Sequence, residues 1–258
     1  MAKEIKSISI IGSGNIAHHF AIALSQKVKI NGVFGRNEVE THKLAEKVKA
    51  NGTTDLSRLK PADLILICVN DDEINGVINQ LDSEQVVAYT AGAVELKSID
   101  RKNNVGIFYP LQTFSKEREI DLWEVPFLIE ATDNFLAHDL FDLAWKLSRK
   151  VEFANSTQRK HLHLAAVFVN NFSNHLASLA QNHLDKNELS FDLLKPLILE
   201  TAKKLQSQKP QDAQTGPAIR NDKKTIASHL SLLDEETKMF YQILTDSIQK
   251  QANKDGKL

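Results

Sequence analysis

Six consecutive residues near the N-terminus have the pattern Gly-x-Gly-x-x-Ala between a short apolar run and a helical pattern: Gly12, Ser13, Gly14, Asn15, Ile16 and Ala17. The first glycine permits a tight turn, the second lets the backbone approach a pyrophosphate, and the alanine lets the helix pack closely on the strand. The helix N-terminus offers unpaired N–H groups and a partial positive charge to phosphates. We predict that this loop binds a dinucleotide; a glycine-rich turn without a ligand is the alternative.

Arg36 follows the second predicted strand, in the segment Phe34-Gly35-Arg36-Asn37. In many NAD-binding proteins an acidic residue at this place accepts hydrogen bonds from the ribose hydroxyls. A guanidinium instead pairs with two oxygens of a phosphate and stacks on adenine. We therefore predict that Arg36 binds the 2′-phosphate of NADP, the alternative being a solvated arginine on the surface.

Two further strands are followed by loops that the parallel topology would bring to the same edge of the sheet. Val69 and Asn70 end one of these strands, and we expect them to line the cofactor site, with Asp72 as the N-cap of the next helix. Thr90 and Gly92 end the other strand. Their small side chains would let the backbone approach the nicotinamide end of the dinucleotide, or they form a plain turn.

A later helical pattern carries a narrow polar stripe. At about 3.6 residues per turn, Asn170, Asn174 and Gln181 return to nearly the same side as His163, while apolar residues occupy the rest. We expect a helix buried on most sides, whose stripe faces either water or an internal cleft. In a cleft, His163 would transfer a proton because its ordinary pKa lies near neutrality, and the asparagines would orient a carbonyl or imine. The stripe has no carboxylate or cysteine, so we predict no metal site.

The elements that position these residues follow from the periodicity of the chain. Predicted strands cover residues 8–11, 29–34, 64–69, 86–90, 105–108, 127–129 and 151–153, and predicted helices cover 15–26, 38–49, 72–80 and 134–147. Beyond residue 154 the helical patterns cover 157–185, 190–207 and 222–253. Alternating strands and helices indicate βαβ units. We predict an α/β Rossmann domain with a mostly parallel, doubly wound sheet at residues 1–154, an all-α domain at 155–258, and a catalytic cleft between the two.

The composition narrows the class of partner. The 32 basic and 33 acidic residues give a net charge of −1, which provides no electrostatic reason for binding nucleic acid or an anionic membrane. A small molecule is therefore the expected ligand. A single cysteine, Cys68, excludes an intramolecular disulfide and fits a reducing compartment. With neither a signal peptide nor a bilayer-spanning stretch in the sequence, we expect a cytoplasmic protein.

Several segments together resemble a bacterial family of NADP oxidoreductases. They are the glycine loop, Gly35-Arg36, Tyr109-Pro-Leu-Gln-Thr-Phe114, Asn170-Asn-Phe-Ser-Asn174 and Thr215-Gly-Pro-Ala-Ile-Arg220-Asn-Asp222. The resemblance implies a Rossmann domain like that of the coenzyme-F-dependent NADP reductases, joined to a helical domain of unassigned function. Wider relatives are pyrroline-5-carboxylate reductase, ketopantoate reductase and the β-hydroxyacid dehydrogenases.

The resemblance also implies a homodimer formed through the helical domain, with a loop of one subunit completing the cleft of the other. Arg220 would bind a substrate carboxylate, or it lies on the surface of a loop in which Asp222 caps the next helix. Many β-hydroxyacid dehydrogenases carry a lysine and, four residues later, an asparagine. Here Lys160 is followed at that distance by Leu164, so the chemistry of those relatives does not transfer.

Two hypotheses follow. In the first, the protein is an NADP-dependent oxidoreductase that transfers hydride between the nicotinamide ring and a small, anionic carbonyl or imine compound. His163 would supply the proton, Asn170 or Asn174 would orient the substrate, and Arg220 would bind its anionic end. In the second, the protein binds NADP without catalysis, as a sensor or an assembly partner.

Overall fold

The computed structural model describes residues 4–254 and divides into two compact units. The first unit extends to Asn171 and the second begins at Phe172. The first helix after the sheet therefore belongs to the first unit, although helices replace strands well before its end.

The first unit is built on one eight-stranded sheet. The strands are β1 (Ser7–Ile11), β2 (Lys29–Phe34), β3 (Asn51–Thr53), β4 (Leu64–Ile67), β5 (Val87–Tyr89), β6 (Val105–Pro110), β7 (Phe127–Ala131) and β8 (Val151–Phe153). Their order is β3-β2-β1-β4-β5-β6-β7-β8, and all neighbouring pairs are parallel except β6 and β7. The predicted Rossmann fold with a mostly parallel, doubly wound sheet is confirmed.

Successive side chains of a strand point to opposite faces of the sheet, and apolar side chains are buried on both faces. This is expected for a sheet covered by helices on each side. Ile8 and Ile10 of β1 lie in one core with Phe20 and Phe127, whereas Ile11 lies in a second core on the other face. The helices of this unit are α1 (Asn15–Ser25), α2 (Glu38–Lys47), α3 (Ile74–Ile78), α4 (Asn134–Trp145) and α5 (Ser156–Ala166).

All the elements in the described part of the second unit are helical. They are α6 (Ser173–Asp185), α7 (Lys195–Ser207), α8 (Pro210–Ala213), α9 (Lys223–Ser231) and α10 (Glu235–Lys254). No helix in the described part of the chain is both long and apolar enough to cross a membrane.

The helical patterns differ from the prediction in two places. The segment predicted as one helix over 157–185 contains a π-helical stretch, Val167–Phe172, whose hydrogen bonds connect residues five apart. The polar stripe was predicted from an angle of about 100° per residue, and this angle does not hold through a π-helical stretch. That His163, Asn170 and Asn174 share one side of the helix therefore remains a prediction. The segment predicted over 222–253 is two helices, because Leu232 ends α9 and the side chain of Asp234 accepts a hydrogen bond from the backbone N–H of Thr237.

The helix that carries His163 is also less buried than predicted. Arg159 is the buried residue of α5, and the π-helical stretch and α6 contain none. Leu164 and Val169 have exposed fractions of 56% and 75% in the single chain. The apolar pattern is therefore not explained by packing within one chain.

Candidate functional site

The glycine loop is fixed between two strands by its backbone. Gly12 has φ of 128°, and its N–H donates to the carbonyl oxygen of Phe34 at 2.7 Å. A Cβ at Gly12 would lie 2.3 Å from the carbonyl oxygen of Cys68, so only glycine fits there. Gly35, which follows β2, is also in a crowded position, since a Cβ there would lie within 2.8 Å of the side-chain hydroxyls of Thr41 and Ser13.

The start of α1 faces open space, as a phosphate site requires. Gly14 is the N-cap of α1 and provides no side chain to satisfy the first N–H groups, and the first turn contains no acidic residue. A Cβ at Gly14 would meet no atom within 4 Å. Ala17 is fully buried and lets α1 pack against the sheet. This cradle fits the pyrophosphate of a dinucleotide.

A groove with a cavity volume of about 640 Å³ continues from this loop. Its lining includes the predicted cofactor residues Gly12, Ser13, Gly14, Arg36, Val69 and Asn70. The structure therefore brings together the residues predicted from the ends of β1, β2 and β4. On the far wall lie Gly76, Val77 and Gln80, which sequence reasoning did not single out.

Arg36 lies at the mouth of this groove with most of its side chain exposed. Its Nη1 is 2.5 Å from Oε1 of Glu73, which follows β4 on the opposite wall. Nothing in the sequence signalled this pair, because the two residues are far apart in the chain and Glu73 stands in a run of three acidic residues.

Thr90 and Gly92, predicted to approach the nicotinamide, are both buried. The hydroxyl of Thr90 donates to the carbonyl oxygen of Ile67 at 3.5 Å, within the sheet. Gly92 lies against the ring of Tyr109, and a Cβ at Gly92 would be only 2.4 Å from Cζ of that ring. The structure thus gives Gly92 a definite role, which is to make room for Tyr109.

Tyr109 lies near the carboxyl end of β6 and joins the sheet edge to His163. The Tyr109 hydroxyl and Nδ1 of His163 are 3.1 Å apart, and the two rings meet edge to face with centroids 6.2 Å apart. Tyr109 is 8% exposed, whereas His163 is half-buried. Tyr109 is therefore both packed in the core of the first unit and in contact with a predicted site residue.

The position of α5 beside Tyr109 depends on Arg159, one helical turn before His163. The guanidinium of Arg159 is fully buried, forms an ion pair with Glu130 of β7 and donates to the carbonyl oxygen of Val94 at 2.7 Å. Burial raises the pKa of Tyr109, and the positive charge of Arg159 opposes that shift. Sequence reasoning missed Arg159, although the spacing of four from His163 places both on one helix face.

Other predicted site residues are exposed. Asn170 lies in the π-helical stretch, Asn174 is the second residue of α6, and Arg220 precedes α9. Asp222 caps α9 as expected, because its side chain accepts a hydrogen bond from the backbone N–H of Thr225 at 3.1 Å. Within residues 4–254, no group of three or more His, Cys, Asp or Glu side chains could hold a metal ion.

Comparison with known proteins identifies both parts of the chain. The family model of NADP oxidoreductases, coenzyme F420-dependent, matches residues 7–91, and the model of a domain of unknown function, DUF2520, matches residues 125–248. No curated protein matches the chain.

Solved structures extend the likeness to nearly the full length. BF3122 from Bacteroides fragilis, a candidate NADP oxidoreductase, is 40% identical with a TM-score of 0.88, covering 97% of this chain and 100% of its own. Protein TM1727 from Thermotoga maritima is 21% identical with a TM-score of 0.74, covering 96% and 99%. An imine reductase from Myxococcus stipitatus, solved with NADP+, is 15% identical with a TM-score of 0.61, covering 97% and 94%, which shows the fold alone.

The resemblance found in the sequence is thereby confirmed. The identity to BF3122 over almost the whole chain is sufficient to establish the family. The chain belongs to the NADP oxidoreductase family in which a domain of the coenzyme F420-dependent type precedes a DUF2520 domain.

Proposed function

We propose that the protein reduces a small, anionic carbonyl or imine compound with NADPH, or catalyses the reverse oxidation. The observation that carries this proposal is the hydrogen bond between Tyr109 and His163. Through this bond His163, to which we assign proton transfer, lies at the carboxyl edge of the sheet, the same edge as the glycine loop and the groove beside it.

NADP(H) would be held by the residues of the groove. The N–H groups at the start of α1 would bind the pyrophosphate, Val69 and Asn70 would line the site, and Arg36 would pair with the 2′-phosphate. When bound, the nicotinamide supplies or accepts the hydride, and the protein supplies position and a proton.

We infer that Tyr109 selects the tautomer of His163. When the buried hydroxyl of Tyr109 donates to Nδ1, the imidazole presents an N–H at Nε2. His163 is the more exposed of the two residues, so Nε2 is the atom we assign as proton donor to the substrate oxygen or nitrogen. Tyr109 is then a positioning residue.

The remaining substrate roles are those predicted from the sequence. We assign the orientation of the carbonyl or imine to Asn170 or Asn174, and the binding of the anionic end of the substrate to Arg220. Their exposure leaves these polar groups accessible to a ligand. Replacing each in turn by alanine tests these roles, since a role in substrate binding predicts a higher KM with unchanged NADPH affinity.

We also propose that the protein is a cytoplasmic homodimer joined through its helical domain. The second unit exposes many large apolar side chains, among them Leu176, Leu193, Leu197, Ile198, Leu199, Met239, Ile243 and Leu244. A stable single chain rarely exposes so much apolar surface, and a second copy would cover it. Sedimentation should show a dimer that Leu197→Glu dissociates and that Val39→Glu, at an exposed position of α2, leaves intact.

The reaction itself is tested by turnover. A panel of 2-oxo acids and cyclic imino acids should include a compound that oxidises NADPH, and His163→Asn should reduce kcat by about 100-fold or more while leaving NADPH affinity unchanged. If NADPH binds and no compound in a broad metabolite panel is reduced, the result contradicts this proposal and favours the alternative of a non-catalytic sensor.

A further inference from the structure

The ion pair between Arg36 and Glu73 takes no part in the proposed reaction. It spans the groove, because Arg36 follows β2 and Glu73 follows β4, and these strands lie on either side of β1. The pair is short, at 2.5 Å between Nη1 and Oε1, although the Arg36 side chain is 76% exposed. The guanidinium of Arg36, which we propose binds the 2′-phosphate, is thus already paired with the carboxylate of Glu73.

Both ends of this contact are anchored by their own backbone. Arg36 immediately precedes Asn37, which caps α2 by accepting a hydrogen bond from the N–H of Glu40. Glu73 ends a 3₁₀ turn in which its N–H donates to the carbonyl oxygen of Asn70 at 3.0 Å. The side chain of Glu73 is 29% exposed and lines the groove. Glu73 is therefore placed to meet whatever binds beside Arg36.

We propose that Glu73 determines cofactor specificity by competing with the 2′-phosphate for Arg36. The proposal rests on the NADP(H) site described above. A 2′-phosphate carries more negative charge than a carboxylate and offers several acceptor oxygens, so it displaces Glu73 from the guanidinium. A ribose hydroxyl is neutral and leaves the ion pair intact. Binding of NADPH therefore breaks the ion pair, which costs free energy, whereas binding of NADH leaves the ion pair intact.

The size of the competition follows from the exposure of the pair. An exposed ion pair contributes at most about 1 kcal/mol, which is a factor of about five in affinity. Removing the carboxylate should therefore tighten NADPH binding by about three- to fivefold. Asp72 is the matched control, because it carries the same charge one residue earlier while Arg36 pairs with Glu73.

The test is calorimetry on the full-length chain with NADPH, NADH and adenosine 2′,5′-bisphosphate. We expect Glu73→Gln to tighten binding of NADPH and of the bisphosphate by about three- to fivefold and to leave NADH within about 1.5-fold. Asp72→Asn should change all three by less than twofold. In an Arg36→Met background, Glu73→Gln should produce no larger effect than Asp72→Asn, because no pair remains to open.

The outcomes separate this inference from the proposed function. Wild-type protein that binds neither dinucleotide nor the bisphosphate would overturn both. Preferential NADPH binding that Glu73→Gln leaves unchanged or weakens would overturn only the role of Glu73. An equal gain for NADH and NADPH, or an equal gain from Asp72→Asn, would show that Glu73 acts only through its general negative charge and would likewise overturn the competition.

Discussion

Gly92→Ala should separate Tyr109 from His163 although neither of these two residues is replaced. A Cβ at Gly92 would lie 2.4 Å from Cζ of the Tyr109 ring and 2.7 Å from both Cε atoms. Carbon atoms in contact prefer about 3.5 to 4.0 Å, so the ring must move by about 1 Å or more. The hydroxyl now lies 3.1 Å from Nδ1 of His163, and such a shift takes it beyond hydrogen-bond distance.

The expected cost follows from burial. Tyr109 is 8% exposed, and inserting a methyl group into a packed interior costs about 1 to 3 kcal/mol. The lost hydrogen bond contributes about 1 kcal/mol within that range. For a unit of this size, 1 kcal/mol corresponds to about 2 to 4 °C, so we expect the melting temperature to fall by about 2 to 12 °C.

Two measurements check this expectation. Thermal unfolding reports the cost, and the imidazole nitrogen resonances of His163, assigned with a His163→Asn variant, report the loss of the contact to Tyr109. Gly76→Ala is the control, because a Cβ at Gly76 meets no atom within 4 Å. If Gly92→Ala melts like the wild type and the His163 resonances do not move, the inferred contact between Gly92, Tyr109 and His163 is wrong.

Three further predictions concern residues of the first unit. Gly14→Val should abolish NADPH binding with little change in stability, since its side chain enters open space; calorimetry that shows unchanged affinity would mean that the loop is only a turn. Glu130→Gln should destabilise the protein by about 3 to 5 kcal/mol in urea unfolding because it leaves the buried guanidinium of Arg159 unpaired, whereas Arg159→Met should cost less. Hydrogen bonds from Lys160 and Lys97 lower the pKa of Glu95 to about 2 from 4.5, so Glu95 stabilises the fold above that ordinary value and loses this effect as the pH falls toward 2. Stability measured across this window should depend less on pH in Glu95→Gln, and an unchanged dependence would contradict the assignment.

The fold was accessible from the sequence because it depends on local patterns. Lys29–Phe34 and Val151–Phe153 form strands at the predicted bounds, since β-branched and aromatic residues make up at least half of each. The edge strand Asn51–Thr53 was missed, because its residues Asn, Gly and Thr give no apolar alternation, and its pairing with β2 defines it. The break before Asp234 was detectable, since an aspartate followed by two acidic residues is typical of a helix start.

Only part of the candidate site could be predicted from the sequence, because the rest depends on contacts between residues that are distant in the chain. The glycine loop is contiguous, and its pattern alone predicts its conformation. The contact between Tyr109 and His163 joins residues 54 positions apart and depends on how α5 crosses the sheet. The pairing of Arg36 with Glu73 depends on the adjacency of β2, β1 and β4. No spacing rule in a single sequence encodes such contacts.

The central position of β1 has a consequence for how the chain is made. β1 precedes the other described strands in the chain, yet its neighbour β4 ends only at Ile67. At about 5 to 20 residues per second, synthesis of the intervening chain takes about 3 to 11 s. During that interval one edge of β1 is unpaired and its isoleucines are uncovered, which are the conditions for aggregation. The segment that contains β1 is therefore exposed to aggregation until β4 has been synthesised.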